Sequence, residues 1–413
     1  MMKLQDYKKR MTVAFTNNTK RGFVDWRDCG KLCMDVTEGL EEAKEDLCAE
    51  NRYSDLFSLA NRTYVKWNNT DKDDSNGETQ EFCTCVDSIW ETIYCDGEEY
   101  VSHDAMLETM LGYLDGRLFD YMEDEIYDFV LRHFKSERQL IRKEQFLRNK
   151  MDEIKQHLST EDTLEYSLCV LEGYYARILA DQRRPIREIR DFLNAGYRYF
   201  NRELLAQIEK EYGNYDEAIA LYKSQIEDNP DSHWSDGPRK ALMEIYTLQG
   251  NTKAYNDELY NMMCAHTDEE KYYLEYKSLF IEDDWKEEWN RLLDHFKDRL
   301  SAINLWLSIE GRYDIIMDNA EPDNEYVIDA YGKMLYKLYP ERCLTVLSNI
   351  ADRQVKSSKN RRDYRHIART LKKITALPGG RELATELAVR YRAEYPRRTA
   401  MLDELWMFYS EGQ

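Results

Sequence analysis

The sequence predicts an all-α chain, an α-solenoid of stacked antiparallel helical hairpins. Three observations carry that expectation. Apolar residues recur at steps of three and four, as in Leu164, Leu168, Leu171, Tyr175 and Ile178, and again in Leu292, Phe296, Leu300, Ile303 and Leu307. That is the spacing of one helix face. The 413 residues include only 7 Pro and 17 Gly, too few for a turn-rich β protein or for long linkers. Cues of a turn followed by an aromatic residue recur along the chain, about 28–37 residues apart in its middle.

The clearest unit is residues 204–230, LLAQIEKEYGNYDEAIALYKSQIEDNP. An apolar helix ends at Gly213, where glycine opens a backbone angle closed to larger residues. A second helix starts near Tyr215 and stops at Pro230. Small Ala218 lets two helices approach, and Tyr222 is expected to fill the groove to the next hairpin. The unit resembles a tetratricopeptide repeat, with two departures. Arg202 stands where an aromatic is usual, and Gln225 where a small residue is usual. Related cues are Asn51-Arg52-Tyr53, Gly250-Asn251 before Tyr255, Asp283-Asp284-Trp285 before Trp289, and Gly311-Arg312-Tyr313. A single hairpin cannot bury its apolar face alone, so neighbours must stack. The 31 Tyr and 8 Trp suit grooves between helices, since their rings are apolar with one polar end.

Three regions are expected: N-terminal hairpins with an acidic loop over 1–160, tetratricopeptide-like repeats over 161–349, and a basic helical cap over 350–413. The formal net charge is −21. Residues 350–413 carry 14 Lys and Arg against 8 Asp and Glu, a balance of +6 that leaves −27 on the rest. Such an acidic body opposes non-specific binding to nucleic acid and anionic membranes. The nine Cys are odd in number and irregularly spaced, which reads as reduced thiols in a cytoplasmic protein. No apolar run reaches the length of a membrane helix. The N-terminus lacks the apolar stretch of a secretory signal.

Residues 63–79, TYVKWNNTDKDDSNGET, and 364–405, from Tyr364 to Leu405, resemble the helical repeat region of bacterial SWIM zinc-finger family proteins. The family's Asp-Asp-Ser-Asp-Gly loop corresponds to Asp73, Asp74, Ser75, Asn76 and Gly77, with Asn76 departing. Its C-terminal pattern corresponds to Tyr395, Arg397, Arg398, Leu402, Glu404 and Leu405. The resemblance implies a tetratricopeptide-like solenoid. The family's zinc finger reads Cys-x-Cys, a spacer, then Cys-x-His. Here Cys83-Thr84-Cys85 has no such partner, because Cys95 is followed by Asp96 and Gly97 and the next His is His103. A zinc role is therefore not carried over.

Other chemistry is sparse. Cys83 and Cys85 are two apart on an expected helix, about 200° around it, so they face apart. Cys29 and Cys33 share a helix face as buried thiols. An EF-hand counted from Asp71 needs Gly at 76 and Glu at 82, positions held by Asn76 and Phe82. Ser75 with Glu78 reads instead as a capping box opening the next helix, with Asp73 and Asp74 near its positive end or facing a partner. No phosphate-binding glycine loop, nucleophile elbow or zinc-protease motif occurs. No cofactor is expected, and no enzyme.

The basic stretch is the one charged feature that stands out. Arg361, Arg365, Arg369 and Lys372 fall three or four apart, on one face of a helix, with Arg397 and Arg398 beyond. The stripe reads first as a solvated face or one paired with the acidic body. It also suits an acidic protein partner or phosphate. The expected function is a non-enzymatic scaffold holding a protein or peptide in the solenoid groove. The alternative is a nucleic-acid-associated factor working through the basic C-terminal helices.

Overall fold

Helix-period apolar patterning runs through the chain, and the computed structural model turns it into helices. The structure describes residues 3–116, 118, 122–157, 163–195, 201–230, 233–321 and 323–409. The chain divides into two compact units, Met1–Asp228 and Asn229–Gln413.

The first unit holds α1 (Leu4–Asn18), α2 (Trp26–Ala49), α3 (Tyr53–Asn68), α4 (Glu78–Asp96), α5 (His103–Tyr113) and α6 (Met122–Arg132). It continues with α7 (Glu137–His157), α8 (Thr163–Asp181), α9 (Ile186–Ala195), α10 (Asn201–Glu211) and α11 (Tyr215–Asp228). Consecutive helices pair as hairpins, among them α1 with α2, α7 with α8 and α10 with α11. Next-but-one helices also touch, as α2 does α4 and α6 does α8. This is the stacking that buries each hairpin's apolar face.

The second unit holds α12 (Asp236–Gln249), α13 (Thr252–Ala265), α14 (Glu270–Lys277), α15 (Glu282–His295) and α16 (Asn304–Ile309). It continues with α17 (Tyr313–Ala320), α18 (Glu325–Leu338), α19 (Pro340–Ser357), α20 (Arg361–Thr375), α21 (Gly380–Glu394) and α22 (Thr399–Glu404). From α12 to α14 and from α16 to α21 each helix again packs on the next in line, and α19 also meets α21, and α20 meets α22. The protein is thus all-α, a helical-repeat solenoid.

The turn cues work through one geometry. Asn51, Gly213, Gly250 and Gly311 all take positive φ, from 57° to 78°. The amide after each reaches back to the carbonyl five residues before it: Arg52 to Leu47 at 2.8 Å, Asn214 to Glu209 at 2.9 Å, Asn251 to Tyr246 at 2.8 Å and Arg312 to Leu307 at 2.8 Å. This left-handed cap closes the helix end and sends the chain back. The cue at Asp283 differs. Asp283 and Asp284 lie inside the first turn of α15, where carboxylates meet the helix's positive end, and the chain reverses earlier, between Ser278 and Ile281. Arg183 makes the same left-handed turn at φ 57°, with Arg184 bonding Leu179 at 3.1 Å.

In the 204–230 hairpin, Ala218 is fully buried and Tyr222 nearly so. The two departures have physical consequences. Arg202 bonds Ser224 at 3.1 Å and Asp228 at 2.5 Å, tying α10 to α11. Gln225 keeps a buried Nε2 with no hydrogen-bond partner. The boundary expected between 349 and 350 falls inside α19, whose apolar face runs unbroken from Cys343 to Val355. The boundary expected at 160/161 lies outside the described residues.

Two strands of two residues, β1 (Phe23–Val24) and β2 (Asp71–Lys72), pair in parallel, Phe23 opposite Asp71. They staple the acidic loop to the α1–α2 connection. Beneath it the core is aromatic: Trp67 stacks on Phe82 at 4.5 Å, and Tyr64 and Trp90 extend the layer. The second unit has its own layer, where Tyr273 stacks on Trp306 at 5.1 Å and Phe296 meets Trp306 edge-on. Among the described residues no helix is long and apolar enough to cross a membrane.

Candidate functional site

The basic stripe lies on α20, whose start is set by its own sequence. Asn360 accepts from the amides of Arg362 at 2.9 Å and Asp363 at 3.1 Å. The Asp363 carboxylate returns to the amides of Lys359 and Asn360, and those bonds hold its pKa below the usual carboxylate range. This is a complete capping box. Tyr364, Ile367, Leu371 and Ile374 are buried at helical spacing, so Arg361, Arg362, Arg365, Arg369 and Lys372 must face solvent, and do.

Part of that charge is spent inside the protein. Arg361 lies 2.6 Å from Glu404 of α22, and Arg365 lies 3.5 Å from the same carboxylate. The hydrogen bond from Arg361 holds Glu404 below its usual range. Arg398 donates to the Val355 carbonyl at 2.7 Å and to Ser358 at 3.3 Å, with its guanidinium over Tyr395. Among the described residues, Arg369, Lys372 and Arg397 have no ion-pair partner. The six expected basic residues therefore split evenly: Arg361, Arg365 and Arg398 are structural, and the other three are available.

The acidic loop is a joint. Asp73 accepts the Ser75 amide at 3.2 Å and also the Ser75 hydroxyl, while the Asp73 amide donates to the Val24 carbonyl at 2.9 Å. The Asp74 carbonyl accepts the Gly77 amide at 2.8 Å. The expected Ser75–Glu78 capping box does not form. Gly77, at φ 88°, enters α4 with no side-chain cap, and Ser75 has turned to Asp73 instead. Glu78 is drawn inward, 6% exposed, and accepts from Asn76 at 3.1 Å. Its second oxygen is buried without a hydrogen-bond partner.

Most of the thiols are buried or half-buried. Cys29 and Cys33 share the inner face of α2, and burial pushes them up to about 11 and about 12. Cys83 is buried and Cys85 half-buried on α4, while Cys95 is exposed. His103 stacks flat on Tyr94 at 3.9 Å, with Nε2 2.8 Å from the Tyr94 carbonyl. Among the described residues, no group of three or more His, Cys, Asp or Glu is arranged to hold a metal.

The second unit also holds a cavity of about 1240 Å³ between the start of α12, the end of α13 and the turn after α15. Its walls carry close polar side chains. His266 sits 3.0 Å from Asp236, off the line of a hydrogen bond, and 3.5 Å from Glu269. Arg239 pairs with Glu258 at 2.7 Å, both side chains 13% exposed. Trp234 stands at the mouth, 83% exposed, and Arg299 lies opposite α13 with its guanidinium over Phe296 at 4.7 Å. Sequence reasoning missed this site because its members are spread from Pro230 to Arg299 and match no motif. Its one local signal is a Trp between polar residues just before a helix. No protein-family model matches the chain, and no curated protein matches it.

Proposed function

We propose that this chain is a non-enzymatic helical-repeat scaffold whose tetratricopeptide-like hairpins hold a protein segment, with an acidic partner meeting the basic face of α20. The carrying observation is that Arg369 and Lys372 stand exposed on that face without an acidic partner, in a chain of net charge −21. Internal carboxylates have neutralised Arg361 and Arg365 and, among the described residues, have left these two and the neighbouring Arg362. The likeness of residues 63–79 and 364–405 to SWIM zinc-finger solenoids supports the same reading.

The cysteine nearest to polar cavity groups argues against nucleophilic chemistry. Burial pushes the Cys264 thiol up, the opposite of what an activated nucleophile needs. Affinity purification from the native host with mass spectrometry tests the proposal: a stoichiometric protein partner lost on joint Arg369→Glu and Lys372→Glu reversal is expected. Labelled DNA and RNA, titrated at about 0.15 M salt, test the alternative. Tight nucleic-acid binding abolished by the same reversal would replace the scaffold with a nucleic-acid-associated factor.

A further inference from the structure

We infer that the cavity of the second unit is a peptide site that takes a short protein segment, anchored by an aromatic or aliphatic side chain on Trp234 with an acidic side chain at Arg299. The inference rests on the scaffold reading and names a place for the segment separate from the α20 face.

The anchor comes first. An indole 83% exposed at the mouth of a cavity keeps a large apolar face in water, and covering it is favourable. The charge pattern then selects the ligand. Asp236 is engaged with His266, Glu269 with Lys271, and Arg239 with Glu258. These pairs make the walls preformed. Two charges are left over among the described residues: Arg299 and Asp268 have no ion-pair partner. Arg299 is steadied by Phe296 beneath it, which leaves its N–H fork for a carboxylate.

Size and sign narrow the class. The cavity of about 1240 Å³ is larger than the roughly 300–1,000 Å³ typical of small-molecule sites. A nucleotide or other polyphosphate would bring several negative charges to a site that offers, among the described residues, one unpaired cation, Arg299, and one unpaired carboxylate, Asp268. A peptide supplies an apolar anchor, a carboxylate for Arg299 and backbone N–H groups for Asp268 in one molecule.

A library of random dodecapeptides displayed on phage, selected against the full chain, tests this. Enriched peptides should join an aromatic or aliphatic residue to Asp or Glu. Synthetic copies should bind the Trp234→Ala and Arg299→Ala variants at least about tenfold more weakly, with thermal melting unchanged because both side chains are exposed. The Arg299→Glu variant should prefer copies in which the acidic residue is replaced by Lys. The Arg369→Glu variant should bind as the wild type does, so loss of the α20 partner and loss of this site are told apart. No enrichment, or equal affinity for the Trp234 and Arg299 variants, overturns the inference. ATP that binds and displaces the peptide also overturns it, in favour of a nucleotide site.

Discussion

The aromatic layers of the two units are built from the same side chains and held in different ways. In the first unit each central indole is hydrogen-bonded: Trp67 donates to Thr79 at 3.1 Å and Trp90 to Asn61 at 2.9 Å. The Tyr64 hydroxyl donates to the Met122 carbonyl at 2.8 Å, and the buried Lys143 to the carbonyls of Val130 in the last turn of α6 and of His133 just past it. In the second unit Trp306 is equally buried, yet its N–H has no hydrogen-bond partner. The Tyr273 hydroxyl stacked beside it does donate to Glu310, at 2.8 Å, so the contrast is confined to the central indole, which ring stacking and shape hold. The difference teaches where polar groups specify packing. A satisfied buried donor fixes one arrangement, whereas an unsatisfied one is a cost that apolar burial must exceed.

The largest test of this comparison is truncation. Trp67→Ala should cost about 3–5 kcal/mol in denaturant unfolding, from lost burial and the cavity left behind. Trp→Phe then separates the layers. At Trp67 it leaves the Thr79 hydroxyl without its donor and should cost about 1–2 kcal/mol more than at Trp306, where it removes an unpaired donor. Equal costs would mean that the hydrogen bonds add nothing to the first layer.

The hairpin of α10 and α11 comes next. Ala218→Trp should overpack their contact and cost roughly 1–3 kcal/mol. A variant melting like the wild type would show that no close helix approach depends on Ala218.

Lys143 offers a pH test of the first layer's buried polar groups. Burial, assisted by nearby Lys135, brings its pKa down to about 7 from an ordinary 10.5. Between those values the unfolded chain holds a proton that the folded chain lacks. Stability from this group therefore rises with pH across that window, by up to about 1.4 kcal/mol per pH unit, and the gain is lost as pH falls to 7. Lys143→Met should flatten the slope seen by denaturation at pH 7 to 10. An unchanged slope would place the titration elsewhere.

The smallest expected effect lies on the surface of the second unit. Arg369→Glu and Lys372→Glu should shift stability by no more than about 0.5 kcal/mol each. Arg361→Glu should shift it further, since it sets two carboxylates against each other where Arg361 now meets Glu404. Equal shifts would erase the division between structural and available cations.

Legibility in the sequence followed locality. Gly213, Gly250 and Gly311 were readable because a left-handed turn favours glycine whatever surrounds it. Ala218 was readable because a small residue within an apolar helix marks a close approach. Arg183 was not, since an arginine gives no local sign of positive φ. The Asp283 cue misled because paired carboxylates serve a helix's first turn as well as a turn before it. Ser75 looked like a cap because its spacing to Glu78 fits, but Asp73 is nearer in the chain and took its hydroxyl.

The sequence by itself determined the helices, most of the turns between them and the amphipathic form of α20, because apolar period and turn chemistry act over a few residues. Only the tertiary structure decided which charges remain available. Arg361 and Glu404 are 43 positions apart, and no local pattern announces that they pair. The cavity is of the same kind. Trp234, His266 and Arg299 come together only when three segments stack, because ion pairing and cavity shape depend on distance in space rather than along the chain.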